Sequence, residues 1–212
     1  ERIRCIRAIK DEWAYDTPQG HKAQPGFVAY IDVVRAFQGF ITKDDIITLD
    51  AGNNRIWMTN ALRLPYQNQL LAPGGAGGMG WGAPAAAAAK LALPQKRVTC
   101  ITGDGGFMMT IDAVATCVQH KIASVFMVLN NRGLGMVRDN QGAKRIACDF
   151  HNVDFAKTCE GMGANTITVT DPKILSDVLR SAHMNQDKPT VIDVKIDPVD
   201  SHFQATDHKP LL

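Results

Sequence analysis

Residues 98–106 read Val-Thr-Cys-Ile-Thr-Gly-Asp-Gly-Gly, and residues 124–131 read Ser-Val-Phe-Met-Val-Leu-Asn-Asn. Each is a short, continuously apolar run that stops on small polar residues. Runs of this length and composition predict strands buried on both faces, which belong to parallel sheets. Between them, Phe107–His120 has the pattern of one helix. A strand, a helix and a second strand make a right-handed parallel unit. Its two carboxyl ends then bring Asp104 and Asn131 side by side.

The same alternation extends in both directions. Upstream, Asp16–Gln24 reads as a loop. Pro25 opens a helix with Val28, Ile31, Val34, Phe37 and Ile41 on its apolar face. Ile46–Leu49 is a strand, Gly52–Asn54 a turn, and Gln69–Ala72 another strand. The glycine-rich Pro73–Gly82 follows, then an alanine-rich helix over Pro84–Leu93. Downstream come helices near Leu134–Asn140 and Val153–Met162 and a strand at Asn165–Val169. A helix opened by Asp171-Pro172 and a last strand at Thr190–Ile196 complete the pattern. The expectation is an α/β fold, a parallel sheet with helices on both faces, whose ligand site lies at the carboxyl ends of the strands. Glu1–Trp13 reads as a basic amphipathic helix with Ile3, Ile6 and Ile9 on one side. The expected division is residues 1–24 as linker helix and loop, 25–200 as the binding domain and 201–212 as a C-terminal tail.

Composition narrows the function classes. The chain has 212 residues, 23 Lys+Arg against 21 Asp+Glu, and a net charge of +2. That balance argues against a nucleic-acid partner held through phosphate charge. The longest apolar stretch, Gly82–Ala89, is too short to span a bilayer, so no membrane partner is expected. The odd set Cys5, Cys100, Cys117, Cys148 and Cys159 contains no C-x-x-C pair and reads as reduced thiols of a cytoplasmic protein. The six histidines are scattered away from the cysteines, which argues against zinc; His120 and His151 read as surface or satisfied polar groups and Arg138 as a surface charge.

The chemistry concentrates in Gly103-Asp104-Gly105-Gly106 and Asn130-Asn131. Glycines at a strand end let the backbone approach a phosphate, and the helix that follows offers free N–H groups. An aspartate among them would repel a bare phosphate, but it fits a Mg²⁺ ion lying between the two. Asp104, the Asn131 amide and one exposed carbonyl, such as that of Gly133, make a sensible partial octahedron that a diphosphate would complete.

These residues resemble the diphosphate-binding domain of the thiamine diphosphate enzymes, whose signature is Gly-Asp-Gly followed, after a helix and a strand, by Asn-Asn. The nearest likeness is to acetolactate synthase and its relatives. It runs from about Val28 to Asp197 and includes the glycine-rich 74–86 and Leu134-Gly135-Met136-Val137. The resemblance implies thiamine diphosphate and Mg²⁺ as cofactors, with Asp104, Asn131 and the Gly133 carbonyl as metal ligands. It implies diphosphate contacts from Gly52, Asn53, Asn54, Gly103, Gly105, Gly106, Leu134, Gly135 and Met136. Met79 would prop the cofactor into its bent form, with Gly78 beside it and the Gly77 carbonyl accepting from the aminopyrimidine. The sequence departs from the family at Gly106, where Ser is common. It departs again at Asn53-Asn54, where acetolactate synthases tend to carry Gln-His, and at Asp139-Asn140-Gln141, where they usually carry Gln-Trp-Gln.

The resemblance also implies a 2-oxoacid substrate and a homo-oligomer, a dimer or tetramer. In this family a glutamate from a second domain activates the pyrimidine ring. This chain has only Glu1, Glu12 and Glu160, none at an apolar strand end. The expectation is therefore a decarboxylase/carboligase part with no catalytic side chain of its own, inactive alone and needing a pyrimidine-binding domain or subunit. A second expectation, from another class, is a non-catalytic cofactor- or partner-binding domain. A dinucleotide-binding domain fits poorly, because Asp50–Asn54 lacks the G-x-G-x-x-G turn.

Overall fold

The computed structural model of the chain describes residues 1–12 and 20–203. Its sheet is built from β1 (Asp45–Leu49), β2 (Leu70–Leu71), β3 (Arg97–Gly103), β4 (Val125–Asn130), β5 (Asn165–Val169) and β6 (Thr190–Lys195). The order is β2-β1-β3-β4-β6-β5 and every pairing is parallel. The helices are α1 (Arg2–Glu12), α2 (Tyr30–Gln38), α3 (Asn53–Ala61), α4 (Gly82–Ala92), α5 (Asp104–Met109), α6 (Asp112–Gln119), α7 (Gly135–Gln141), α8 (Phe155–Gly161) and α9 (Leu175–Met184).

Alternation along β4 shows how both faces are covered. Val125, Met127 and Leu129 join one core with Phe37 of α2, Trp57 of α3 and Leu179 of α9. Phe126 and Val128 join the other with Ala86 of α4, Phe107 of α5, Val114 of α6 and Phe155 of α8. A strand buried on both sides cannot show polar alternation, which is why these runs are apolar throughout. The α/β fold with helices on both faces is therefore observed.

Four local expectations need correction. The helix expected from Pro25 begins at Tyr30. Val28 instead extends the sheet, donating to the Lys195 carbonyl at 2.8 Å while its own carbonyl accepts from the Asp197 N–H at 3.1 Å. Gly52–Asn54 is not a closed turn: Gly52, at φ +122°, leads into α3. Two asparagines with weak helix propensity hide that start in the sequence. The helix expected over Phe107–His120 is broken at Thr110, whose hydroxyl donates to the Gly80 carbonyl at 3.1 Å. Asp171-Pro172 opens a 3₁₀ turn, Pro172–Ile174, before α9 begins.

Helix α1 buries none of its residues, with Ile3, Ile6 and Ile9 all exposed. Trp13, residues 16–19 of the expected 16–24 loop and the 204–212 end of the tail lie outside the described residues. Among the described residues no helix is long and apolar enough to cross a membrane.

One buried titratable group sets an acid-side prediction. His183 of α9 bonds Thr99 Oγ1 of β3 at 2.8 Å and stacks on Phe40, 5.5 Å between ring centres. Burial, with help from the Arg97 charge, holds its imidazole down at about 4. The native ring stays neutral while the unfolded ring takes up a proton below about 6.5. Its contribution is therefore complete above 6.5 and is lost as the pH falls toward 4. His183→Gln removes that loss. Urea unfolding at pH 7 and pH 4.5 should show the wild-type stability advantage over the variant shrinking on acidification, by on the order of 3 kcal/mol at full extent. An advantage independent of pH would contradict the neutral buried imidazole.

Candidate active site

The carboxyl ends of β1, β3 and β4 open onto a cleft of about 130 Å³. Three helices begin at its wall: α3 after Gly52, α5 after Gly103 and α7 after Leu134. The first N–H groups of a helix have no partner within it, and the three partial positive ends converge here. The lining is Tyr30, Ala51, Gly52–Asn54, Met79, Gly103–Gly106, Leu129, Asn131 and Gly133–Val137. Among the described residues it contains no lysine, arginine or histidine.

One carboxylate stands in this positive field. Asp104 is almost fully buried. Its Oδ1 accepts from the Gly105 N–H at 2.8 Å and its Oδ2 from the Gly133 N–H at 2.9 Å. Burial pushes its carboxyl up to about 6, although the N–H groups of Gly133, Gly105 and Arg132 pull the other way. Burial thus outweighs those N–H groups, and a cation bound beside the carboxylate would favour its charged form.

The two asparagines at the end of β4 part company. Asn130 faces the sheet, donating to the Val153 carbonyl and to Asp193 Oδ1, both at 3.1 Å. Asn131 turns to the cleft, where its Nδ2 donates to the Tyr30 hydroxyl at 3.1 Å. The Gly133 carbonyl accepts from the Gly135 N–H at 3.0 Å, which leaves one lone pair. Asn53 donates from Nδ2 to Asp139 Oδ2 at 3.1 Å, and its buried Oδ1 has no partner. Asn54 is structural at its amide, donating to the Asp50 carbonyl at 3.0 Å and the Ile101 carbonyl at 3.3 Å.

Of the residues expected at the site, Gly77 and Gly78 do not line the cleft. They belong to the loop that delivers Met79, which does. Asp50 anchors that loop: its carboxylate accepts from the Gly80 N–H at 3.0 and 3.1 Å and from Thr102 Oγ1 at 3.0 Å. The aspartate ties the ends of β1 and β3 to the glycine-rich loop. His120 and His151 are exposed.

Arg138 is not the surface charge that its place on a short helix suggests. It is 3% exposed. Its guanidinium donates to the carbonyls of Asn131, Arg132 and Pro198 at 2.9–3.3 Å and pairs with Asp149 at 2.8 Å. A planar fork with five donors can gather several carbonyls at once, which a lysine could not do in the same geometry. It fixes the backbone on either side of the Asn131–Gly133 turn.

Sequence reasoning passed over three more groups. Tyr30 lines the cleft from α2. Asp139 Oδ2 accepts from Asn53, from Ser201 Oγ at 2.8 Å and from His202 Nδ1 at 2.9 Å. Asp200 accepts from the Tyr30 N–H at 2.7 Å, and burial pushes its carboxyl up to about 7. Segment 197–202 therefore braces the cleft from behind. No local signal marks these residues, because each acts across tens of residues of chain.

Comparison with known proteins identifies the family. Residues 50–194 match the family described as thiamine pyrophosphate enzyme, C-terminal TPP binding domain. A probable acetolactate synthase large subunit from Methanococcus aeolicus is 37% identical over 163 residues, covering 74% of this chain and 27% of that protein. The acetolactate synthase large subunit of Lactococcus lactis is 35% identical over 186 residues, covering 84% of this chain and 31% of that protein. The chain thus spans under a third of the length of these relatives. Among solved structures, a thiamine diphosphate-dependent 4-hydroxybenzoylformate decarboxylase from Rhodococcus jostii superposes with a TM-score of 0.76 at 25% identity, covering 84% of this chain and 34% of that one.

Proposed function

The chain belongs to the thiamine pyrophosphate enzymes, as their C-terminal cofactor-binding domain, and on that premise we propose that its cleft holds thiamine diphosphate through Mg²⁺. The metal is held by the Asp104 carboxylate, the Asn131 amide oxygen and the Gly133 carbonyl. The diphosphate lies against Gly52–Asn54, Gly103, Gly105, Gly106 and Leu134–Met136. One observation carries this reading. A buried carboxylate stands among three helix starts in a cleft with no basic side chain among the described residues. The helix ends favour an anion and the carboxylate opposes it, so a divalent cation between the two reconciles them.

Bound there, the cofactor supplies a nucleophilic carbon for attack on the carbonyl of a 2-oxoacid. The chain's own part is to bind and orient. Met79, at the tip of the loop pinned by Asp50, would support the cofactor from the cleft wall, and Gly77 and Gly78 would shape the loop that presents it. In this structure the Gly105 N–H is engaged by Asp104 Oδ1, so a diphosphate oxygen has to share that donor.

The activating glutamate comes from elsewhere. Glu1, Glu12 and Glu160 are all exposed, and none lines the cleft. A pyrimidine-binding domain, in the rest of a longer polypeptide or in another subunit, completes an acetolactate synthase-like decarboxylase/carboligase, a dimer or tetramer of such chains. Asn140 stands where acetolactate synthases carry the Trp that helps choose the acceptor; its amide donates to the Met136 carbonyl at 2.7 Å outside the cleft lining, so that contact to the acceptor is missing here.

Calorimetric titration of thiamine diphosphate into the full-length protein, with Mg²⁺ and with a chelator, tests the reading. Binding is expected with the metal and is expected to be lost with the chelator. Equal affinity in both conditions would overturn the metal assignment, and no binding in either would overturn the cofactor site.

A further inference from the structure

The Asn131 amide has two ends, and only its oxygen can face a cation. When Oδ1 does so, the NH₂ end is left in a place where Asn131 is 3% exposed. A buried N–H without an acceptor is costly, so the group opposite it decides how readily Oδ1 turns to the metal. That group is the Tyr30 hydroxyl, which accepts from Nδ2 at 3.1 Å across 101 residues of sequence.

Tyr30 is itself held from three sides. It opens α2, where the extended stretch through Val28 and Ala29 ends. Its ring stacks on the buried Trp57, 6.3 Å between centres and 11° between planes. Its N–H donates to Asp200 Oδ2 at 2.7 Å. The phenol oxygen therefore cannot drift away from the amide. Resting on the Mg²⁺ reading above, we infer that Tyr30 is a positioning residue for the metal site: its hydroxyl receives the Asn131 amide N–H and so leaves Oδ1 to the cation. Partners that orient a ligand from behind typically change metal affinity by 10- to 100-fold when removed.

The test is Tyr30→Phe in the full-length protein, with Mg²⁺ affinity measured by calorimetry at saturating thiamine diphosphate. The substitution keeps the ring on Trp57. Metal affinity is expected to fall about 10- to 100-fold, with the thermal midpoint of the metal-free protein nearly unchanged. The same substitution is then made in an Asn131→Ala background, where there is no amide for the hydroxyl to orient. There it is expected to change metal affinity by less than about threefold, a double-mutant coupling that a purely structural role would not produce. Equal losses in both backgrounds, or no loss in either, would overturn the inference. If Tyr30→Phe lowers the metal-free midpoint, the two-background comparison still isolates the amide contact. Asp104→Ala serves as the reference for the underlying reading. If it abolishes metal-dependent binding while Tyr30→Phe does nothing, the metal site stands and the role of Tyr30 falls. If Asp104→Ala leaves metal affinity unchanged, both fall together.

Discussion

Asp104→Ala should abolish metal-dependent binding of thiamine diphosphate, weakening it by more than about 100-fold. Partners behind a ligand are worth about 10- to 100-fold, and a direct ligand should exceed them. The side chain also has a structural duty. Its two oxygens take the N–H groups of Gly105 and Gly133, at 2.8 and 2.9 Å. Truncation leaves those donors unmatched in a buried place, at about 1–3 kcal/mol for each that water cannot reach. The Gly133 turn would then be free to shift, and with it the carbonyl assigned to the metal. Asp104→Asn separates the two duties. Its amide oxygen can still take one of the N–H groups, so it should keep more stability than Asp104→Ala while losing most of the metal affinity. Thermal melts and calorimetry on both variants check this. Metal affinity that survives in either would contradict Asp104 as ligand.

Gly133→Ala should be the most damaging single methyl group in the chain. A Cβ at Gly133 would lie 2.3 Å from the Cys148 carbonyl oxygen and 2.3 Å from Arg138 Nη2. The first is backbone in the bridge that pairs Gly133 with Asp149. The second belongs to a buried guanidinium already committed to three carbonyls and a carboxylate. Neither can move away without breaking buried hydrogen bonds. We expect a loss of about 3 kcal/mol or more, a midpoint lower by roughly 6–12 °C, together with loss of metal-dependent binding. Gly161→Ala is the matched control. It ends α8, an added Cβ there meets nothing within 4 Å, and it should be neutral or stabilising by up to about 1 kcal/mol. Similar midpoints for the two variants would contradict the packing described around Gly133.

What was legible in the sequence follows from how far each interaction reaches. β3 and β4 could be read because a strand buried on both faces must be apolar at every position. Asp104 and Asn131 could be paired because one helix and one strand lie between them, so local order fixes their neighbourhood. Helix α3 was illegible because its first residues, Asn53 and Asn54, are chosen for the cleft and for the carbonyls of Asp50 and Ile101, not for helix propensity. Arg138 misled because an arginine on a short helix normally faces water. Only the folded positions of Asn131, Arg132 and Pro198 create the nest of carbonyls that buries it. Tyr30 and Asp200 gave no signal, and Asp139 only as a departure from the family pattern, since each meets its partner across 62 to 170 residues of chain.

The stitching of residues 21–30 to 195–200 has one more consequence. His21 and Gln24 both bond Asp197 Oδ2, at 2.9 and 3.0 Å, Val28 bridges Ile196, and Tyr30 bonds Asp200. The polypeptide thus comes into this unit and goes out of it at nearly the same point in space. Units with adjoining ends can be inserted into, permuted within or detached from a longer chain without stretching whatever lies on either side. Joining the region of residue 21 to that of residue 202 by a short flexible linker, and opening the chain at the exposed loop around Gly142, should give a protein with the same cleft. The architecture makes this domain a cassette, closed on itself at the seam where a neighbour would be attached.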